Sequence, residues 1–293
     1  VIADRVSDVI VVGGGLAGVG CALECFDIQL DTLLVEAAPV LGGQLPEVLH
    51  SVRNLAAARF ASGSDLQRSL QEAAAILVDR VRLAAPVTSV DLESRWMEIG
   101  GDHVPFRSLV VATGTREQYL AAAPDGAFGG DITYQLETDP KHFTGSVAAV
   151  IGGGDSAVLD ALALAADGAT VTLIHRSPAL HARDDVLAQL HAESRIDDLP
   201  GWELDAARGP DRLEALDLVQ RETGERRTLA VQRLVVKIGR TPNTHFLAGQ
   251  LELDHVGAVV VDRDLHTSHA GVFAAGDIVA DAYPRVAAAL GQG

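Results

Sequence analysis

Two stretches of this chain repeat one short pattern, and that pattern leaves little freedom of fold. Residues 8–12, DVIVV, are apolar and β-branched, the mark of a parallel strand buried on both faces. GGGLAG follows, with Gly13, Gly15 and Gly18 at the spacing G-x-G-x-x-G and with Leu16 and Ala17 between them. A helical stretch, VGCALECF, leads to a second strand, TLLVE, which ends at Glu36 beside Ala37. Strand, glycine turn, helix, strand and acid together make a dinucleotide-binding unit. The first glycine permits the tight turn, the second lets a pyrophosphate approach the backbone, and the third lets helix and strand pack closely. The helix start presents free N–H groups and a partial positive charge to phosphates. Glu36 would accept hydrogen bonds from a ribose.

Residues 147–151, VAAVI, open the second copy. Gly152, Gly154 and Ala157 follow in GGGDSA, which also carries Asp155 and Ser156. A helical stretch, VLDALALAA, and a strand, ATVTLI, complete it. The two copies differ at the strand end. Glu36 lies 23 residues after Gly13, and the residue 23 after Gly152 is His175, followed by Arg176. An acid suits a bare ribose, whereas a base suits a ribose 2′-phosphate. The first unit is therefore expected to hold FAD or NAD, and the second NADP. The alternative for His175 and Arg176 is a solvated strand end. Two nucleotide sites in one chain suggest electron transfer between a nicotinamide and a flavin.

The fold class expected is α/β, with two Rossmann-like dinucleotide-binding domains of the three-layer ββα type. LVVATG (109–114) and VFAAGD (272–277) are apolar strands ending in small residues, and they bracket the second unit. The NADP domain, 117–240, is thus expected to be inserted into an FAD domain made of 1–116 and 241–293. The crossings fall near TREQYL (115–120) and GRTPNT (239–244), which have turn chemistry. Residues 81–99 alternate enough to read as a small antiparallel addition, and RETGERR (221–227) as a solvated hairpin.

Bulk properties narrow the partners. A formal charge of −17 disfavours nucleic acid, which needs a basic face. No apolar run reaches the length of a membrane span, and the start VIADRVSDV lacks signal-peptide character, so a soluble cytoplasmic protein is expected. Cys21 and Cys25 are too few for a disulfide scaffold. Four apart on a predicted helix, they share a face and are expected to be small buried core residues, with no redox role. His266 and His269 have no carboxylate or cysteine cluster beside them, so no metal is expected. Ser156 is not in a nucleophile elbow, and no side chain is singled out as catalytic.

The order of motifs resembles the low-molecular-weight thioredoxin reductase family of flavoproteins over essentially the whole chain. The matching pieces are GGGLAG with Glu36, GGQL at 42–45, ATG at 112–114, GGGDSA, IHR at 174–176, IGRTPNT at 238–244 and AAGDI at 274–278. That resemblance implies that Gly43, Gln44, Leu45, Asn54 and Val87 line the FAD together with Ala112, Thr113 and Gly114. It places Gly276 and Asp277 at the ribityl chain or pyrophosphate, and Arg285 and Val286 near the flavin ring. Ile238 and Gly239 would border the nicotinamide nucleotide. LGQG, at the end of the sequence, would open a further helix over the flavin, and the protein would be a homodimer.

One segment breaks the resemblance. Thioredoxin reductases carry C-A-T-C-D after a tyrosine shortly before the second glycine motif. Here Tyr134 is followed by Gln135, Leu136, Glu137, Thr138 and Asp139, so Gln135 and Thr138 stand where the cysteines would be. Disulfide reduction needs one thiolate to attack and another to resolve, and the chain has no C-x-x-C. The stretch is similar instead to the thioredoxin-reductase-like ferredoxin–NADP reductases, whose D-P-x-x-F-x-G pattern is matched by Asp139, Pro140, Phe143 and Gly145. Asp139 reads as a helix N-cap and Pro140 as the first helical residue. That branch implies electrons passing from NADPH through FAD to a non-disulfide acceptor, with ferredoxin the candidate. In HRSPALH, Ser177 and His181 stand where arginines bind a 2′-phosphate, which leaves Arg176 and, further on, Arg183. NADPH is expected to be preferred weakly, with NADH the alternative donor. A different class also fits the missing dithiol: a flavin- and nucleotide-binding protein with little turnover, acting as a redox sensor or partner-binding module.

Overall fold

The apolar β-branched runs form the centres of two parallel sheets, one in each of two units. The computed structural model describes residues 6–48, 51–56, 58–136, 143–282 and 285–293. Contacts divide the chain into Val1–Arg116 with Thr241–Gly293 as one unit, and Glu117–Arg240 as the other.

The first unit opens with β1 (Ser7–Val12), α1 (Leu16–Asp27) and β2 (Thr32–Val35). β1 and β2 pair in parallel from Val9↔Thr32 to Val12↔Val35. α2 (Gly63–Ala74) begins where the Ser62 hydroxyl accepts the Asp65 N–H at 3.2 Å, a side-chain N-cap. β3 (Val81–Arg82) extends the sheet beside β2. β4 (Val87–Asp91), β5 (Trp96–Ile99) and β6 (Asp102–Val111) follow. β6 serves two sets of neighbours. Its first half pairs antiparallel with β5, and its second half, Phe106–Val111, pairs parallel with β1. One strand thus joins the antiparallel addition to the nucleotide-binding sheet. Ile10, Leu34, Leu109 and Val111 are fully buried, as strands covered on both faces require. β7 (Thr115–Glu117) carries the chain into the second unit.

There the elements are α3 (Ala127–Gly130), β8 (Ile132–Thr133), β9 (Val147–Ile151), α4 (Asp155–Ala166), β10 (Thr170–His175), α5 (Asp184–Ala192) and β11 (Ile196–Pro200). β12 (Trp202–Arg208), β13 (Ala215–Gln220), β14 (Arg226–Ala230) and β15 (Arg233–Val236) complete it. The main sheet runs β11-β10-β9-β15-β8 with every pair parallel. β12, β13 and β14 form an antiparallel meander. Leu216 and Leu218 of β13 share a core with Ile151, Ile174 and Val236 of the main sheet. The turn between β13 and β14 lies in RETGERR and is mostly exposed.

The chain returns through β16 (Arg240–Pro242) to β17 (Val272–Ala274), which adds to β6 in parallel, and ends in α6 (Val286–Gln292). Both main sheets are of Rossmann type, so the α/β class read from the doubled motif is the class observed. Leu290, Gly291 and Gln292 lie within α6 (Val286–Gln292), so this helix begins ahead of LGQG rather than at it. The alanines ahead of them are strong helix formers and start the helix earlier. Among the described residues no helix is long and apolar enough to cross a membrane.

The N-terminal ends of β8 and β15 are tied by a buried carboxylate. Asp131 is 2% exposed. Arg212 binds it through Nε and Nη2, both at 2.6 Å, the Leu213 N–H donates at 3.0 Å, and Arg233 Nη1 pairs with it as well. Removing one partner of such a network leaves buried charge uncompensated. Asp131→Ala is expected to lower the unfolding free energy by about 3 kcal/mol, measured by urea denaturation against the parent chain.

Candidate functional site

Each βαβ unit folds its glycine motif into a cradle with one open side. In the first, Gly13 has φ +111°, and a Cβ there would lie 2.2 Å from the Ala112 carbonyl oxygen. A Cβ on Gly18 would lie 1.8 Å from the Gly13 oxygen. Gly15 between them has nothing within 4 Å of its Cβ position. The first and third glycines are thus fixed by packing, and the second faces open space where a pyrophosphate could approach. Gly15 is also the N-cap of α1, supplies no capping side chain, and has no acid in the turn that follows. The first-turn amides of Leu16, Ala17 and Gly18 therefore keep their capacity to bind an anion.

Other segments close around this loop. Glu36 accepts the Gly14 N–H at 2.5 Å and the Ala38 N–H at 2.7 Å, so it is held at the strand end where a ribose would reach it. Ala37 beside it is exposed. The Gly42 N–H donates to the Gly14 carbonyl at 2.8 Å, which brings GGQL against the glycine loop. Gly43 has φ +53°, and its Cβ position lies 3.3 Å from Gly15 Cα. Gln44 Nε2 donates to the Thr115 carbonyl at 3.2 Å and hydroxyl at 3.1 Å, while Leu45 sinks into the core. Thr113 and Asn243 exchange bonds: the Thr113 hydroxyl donates to the Asn243 carbonyl, the Asn243 amide donates to the Thr113 carbonyl, and the Asn243 N–H donates to the Gly114 carbonyl. Gly276 packs its Cα on Ala17 and receives Gln292 Oε1 on its N–H at 2.7 Å. Asp277 follows, half-buried, and Arg285 is the N-cap residue of α6 ahead of Val286.

The structure thus gathers Gly13–Gly18, Glu36, Gly43–Leu45, Ala112–Gly114 and Gly276 into one cluster. Ala85, two residues before Val87, donates its N–H to the Glu36 carbonyl, and Val87 packs on the sheet core. Asn54 is exposed in a loop, and no described contact ties it to the cluster. Thr115, Asn243 and Gln292 were not singled out from sequence. Their partners lie from 16 to 130 residues away in the chain, so only the fold reveals them. Asn243 and Gln292 had a local signal, as parts of IGRTPNT and LGQG.

The second cradle repeats the geometry with different chemistry. Gly152 has φ +148° and a Cβ position 2.1 Å from the Lys237 oxygen, Gly154 faces open space, and Ala157 is fully buried. Ser156 is exposed on the first turn of α4. Asp155 also lies in that turn, and it is occupied: its Oδ1 accepts the Arg183 N–H at 2.8 Å, and its Oδ2 lies 3.4 Å from Arg183 Nε. Asp185 also reaches Arg183 Nε, at 3.5 Å. Arg176 is exposed at the strand end. His175 is not the solvated strand end that was the alternative to phosphate binding. It is 2% exposed, and its Nε2 meets Asp198 Oδ1 at 2.9 Å. Asp198 sits on the neighbouring strand β11, which pairs in parallel with β10. Ile238 packs on the core of this unit, and the Gly239 carbonyl accepts the Gln118 N–H at 3.0 Å.

The cysteine-free segment is anchored by hydrogen bonds. The Tyr134 hydroxyl accepts the Leu120 N–H at 2.7 Å and donates to the Ala123 carbonyl at 2.9 Å, and burial pushes its phenol above the usual range. Lys237 Nζ donates to the Tyr134 carbonyl at 2.5 Å and to Glu117 at 3.2 Å, and Arg240 also binds Glu117. Gln135 is exposed and Leu136 is buried. Glu137, Thr138, Asp139 and Pro140, with the cap expected at Asp139, lie outside the described residues. In α1, Cys25 is buried as expected, but Cys21 is only half-buried. A bond from Cys21 lowers the Cys25 thiol to about 7, while that same bond and burial push Cys21 upward.

A family model described as pyridine nucleotide-disulphide oxidoreductase matches residues 7–293. The chain is 31% identical over 299 residues to a thioredoxin reductase of Mycolicibacterium smegmatis, covering 98% of this chain and 93% of that one. It is 30% identical over 290 residues to an NADH dehydrogenase of Bacillus subtilis, covering 98% of this chain but only 56% of the relative. The chain therefore spans little more than half the length of that dehydrogenase. Among solved structures, a thioredoxin reductase of Lactococcus lactis superposes with a TM-score of 0.88 at 26% identity, covering 98% of this chain and 95% of that one.

The open side of the first cradle gives a direct test. Gly15→Ala meets no protein atom and suits φ −77°, so the thermal midpoint without ligand is expected to stay within about 2 °C. FAD affinity is expected to fall by about tenfold or more, because the methyl fills the space the pyrophosphate needs. Fluorescence titration with FAD measures it.

Proposed function

This chain belongs to the pyridine nucleotide-disulphide oxidoreductase family, whose members use FAD and NAD(P)H, and on that premise we propose that it is an FAD enzyme that passes electrons from a reduced nicotinamide dinucleotide to an acceptor other than a disulfide. The observation that carries this reading is the pairing of two complete nucleotide cradles with an absence of usable sulfur. The only cysteines in the sequence are Cys21 and Cys25, both on α1 and partly or wholly buried. Relatives bear the names thioredoxin reductase and NADH dehydrogenase. The first activity needs a dithiol that Gln135 and Thr138 do not supply, and the second does not name a disulfide. Ferredoxin is the acceptor to which the D-P-x-x-F-x-G stretch points.

The residues of the first cradle fit FAD. Open space at Gly15 and the uncapped start of α1 would receive the pyrophosphate, and Glu36 the adenosine ribose. Gln44, Thr113 and Asn243 fix the backbone that borders the remainder. Bound FAD supplies the exchange between hydride chemistry and transfer to the acceptor. The chain contributes binding, orientation and electrostatics. Lys237, almost wholly buried, holds the Tyr134 carbonyl and the Glu117 carboxylate, so the backbone at Tyr134 is positioned by a charge-assisted network.

Anaerobic stopped-flow absorbance of FAD-loaded protein mixed with NADH or NADPH tests the proposal. Loss of the flavin band without any thiol substrate is expected, followed by reoxidation with ferredoxin and not with oxidised thioredoxin. Absence of bleaching with both donors would point to a nucleotide-binding protein with little turnover. The double variant Cys21→Ser with Cys25→Ser is expected to keep the rate at which the acceptor reoxidises the reduced flavin within about twofold of the parent, measured in the same instrument. A loss of a hundredfold would return the chain to dithiol chemistry.

A further inference from the structure

The two cradles share their glycine geometry and differ in charge. The first turn of α1 carries no acid, whereas the first turn of α4 carries Asp155. A carboxylate there suits the helix by itself, because it faces the positive end of the dipole. It does not suit a dinucleotide, whose pyrophosphate needs the same end of the helix. The segment after β10 answers this conflict. It runs back along the glycine loop: the His181 N–H donates to the Gly153 carbonyl at 2.7 Å, and Gly154 and His181 form an isolated parallel bridge. Two residues later Arg183 meets Asp155 with both backbone and side chain. Its N–H donates to Oδ1 at 2.8 Å, and its Nε lies 3.4 Å from Oδ2. Each carboxylate oxygen thus faces Arg183. The carboxylate is 27% exposed and the guanidinium 53%, so water screens the pair only in part.

We infer that Arg183 is a positioning residue that neutralises Asp155, so that the start of α4 can accept the pyrophosphate common to NADH and NADPH. Two effects follow from its charge. It offsets the repulsion between the Asp155 carboxylate and the phosphates. It also gives Asp155 a charge-assisted partner in place of the α4 amides, which a phosphate would use. Neither effect depends on a ribose phosphate, so the role differs from the 2′-phosphate contact expected from sequence. Asp185, at 3.5 Å from the same Nε, also holds the guanidinium. Arg183 acts through Asp155 and needs no contact with the dinucleotide. The inference rests on the second cradle being a nicotinamide dinucleotide site.

Isothermal titration of the FAD-saturated chain with NAD⁺ and with NADP⁺ tests it, since the oxidised dinucleotides bind without turnover. Arg183→Gln keeps the backbone N–H to Asp155 and removes the charge. It is expected to weaken both dinucleotides by about tenfold, the scale of one uncompensated charge near a charged ligand in a partly solvated site. The deficit is expected to shrink by about threefold or more between roughly 0.05 and 0.5 M salt, as screening of a charge effect requires. Adding Asp155→Asn to Arg183→Gln removes the charge left behind, and affinity for both is expected to return to within about twofold of the parent. Loss confined to NADP⁺ would reveal a 2′-phosphate contact and overturn the inference. An unchanged affinity in Arg183→Gln, a deficit that salt does not move, or a double variant as weak as Arg183→Gln alone overturns it too. Each of these results leaves the proposed function standing. Failure of the parent chain to bind either dinucleotide overturns both together.

Discussion

Everything in the first cradle depends on the contact between the glycine turn and the end of β6. Gly13 lies so close to the Ala112 carbonyl that a methyl group would occupy the oxygen's own space, and Gly18 lies closer still to Gly13. Helix α1 can therefore start only in one place and direction relative to the sheet. That placement points its first amides at the open side of Gly15 and sets Glu36 across from Gly14. The same constraint recurs where Gly152 meets the Lys237 carbonyl. In each unit the strand that closes the contact comes from far along the chain, 99 residues after Gly13 and 85 after Gly152. The local turn and the global sheet specify each other, which is the consistency that funnels a sequence to one fold.

Charge is distributed by the same logic. The chain carries 40 acidic residues against 23 basic ones, and buried acids are compensated one by one. Asp131 is ringed by Arg212, Arg233 and a backbone amide, and Glu117 by Lys237 and Arg240. Both networks occupy the second unit, and the second also fixes the backbone at Tyr134. Tyr134, just ahead of the positions where thioredoxin reductases carry their cysteines, is held at its hydroxyl and at its carbonyl.

The elements that were legible in sequence share one property: their signal is local. Strands such as DVIVV and VAAVI, the glycine spacing, and the alternation in 81–99 each declare themselves within a few residues, and the α/β class followed from their order. Side-chain direction at strand ends had no such signal. His175 and Arg176 are adjacent in IHR, yet one is buried and the other exposed. Arg183 reads as a spare cation until Asp155 and Asp185 are seen around it. Cys21 and Cys25 read as equivalent, and only packing leaves one of them half in solvent.

The sequence by itself therefore determined that two nucleotide cradles exist, that one ends in an acid and the other in a base, and that the dithiol is missing. These are statements about residue identity and short-range spacing, which the backbone of a βαβ unit turns directly into geometry. The tertiary structure alone decided what the base faces. Asp198 lies 23 residues beyond His175, one strand over, and parallel pairing of β10 with β11 brings the two together. That cross-strand partner is set by the register of the two strands, and no pattern along the chain encodes it.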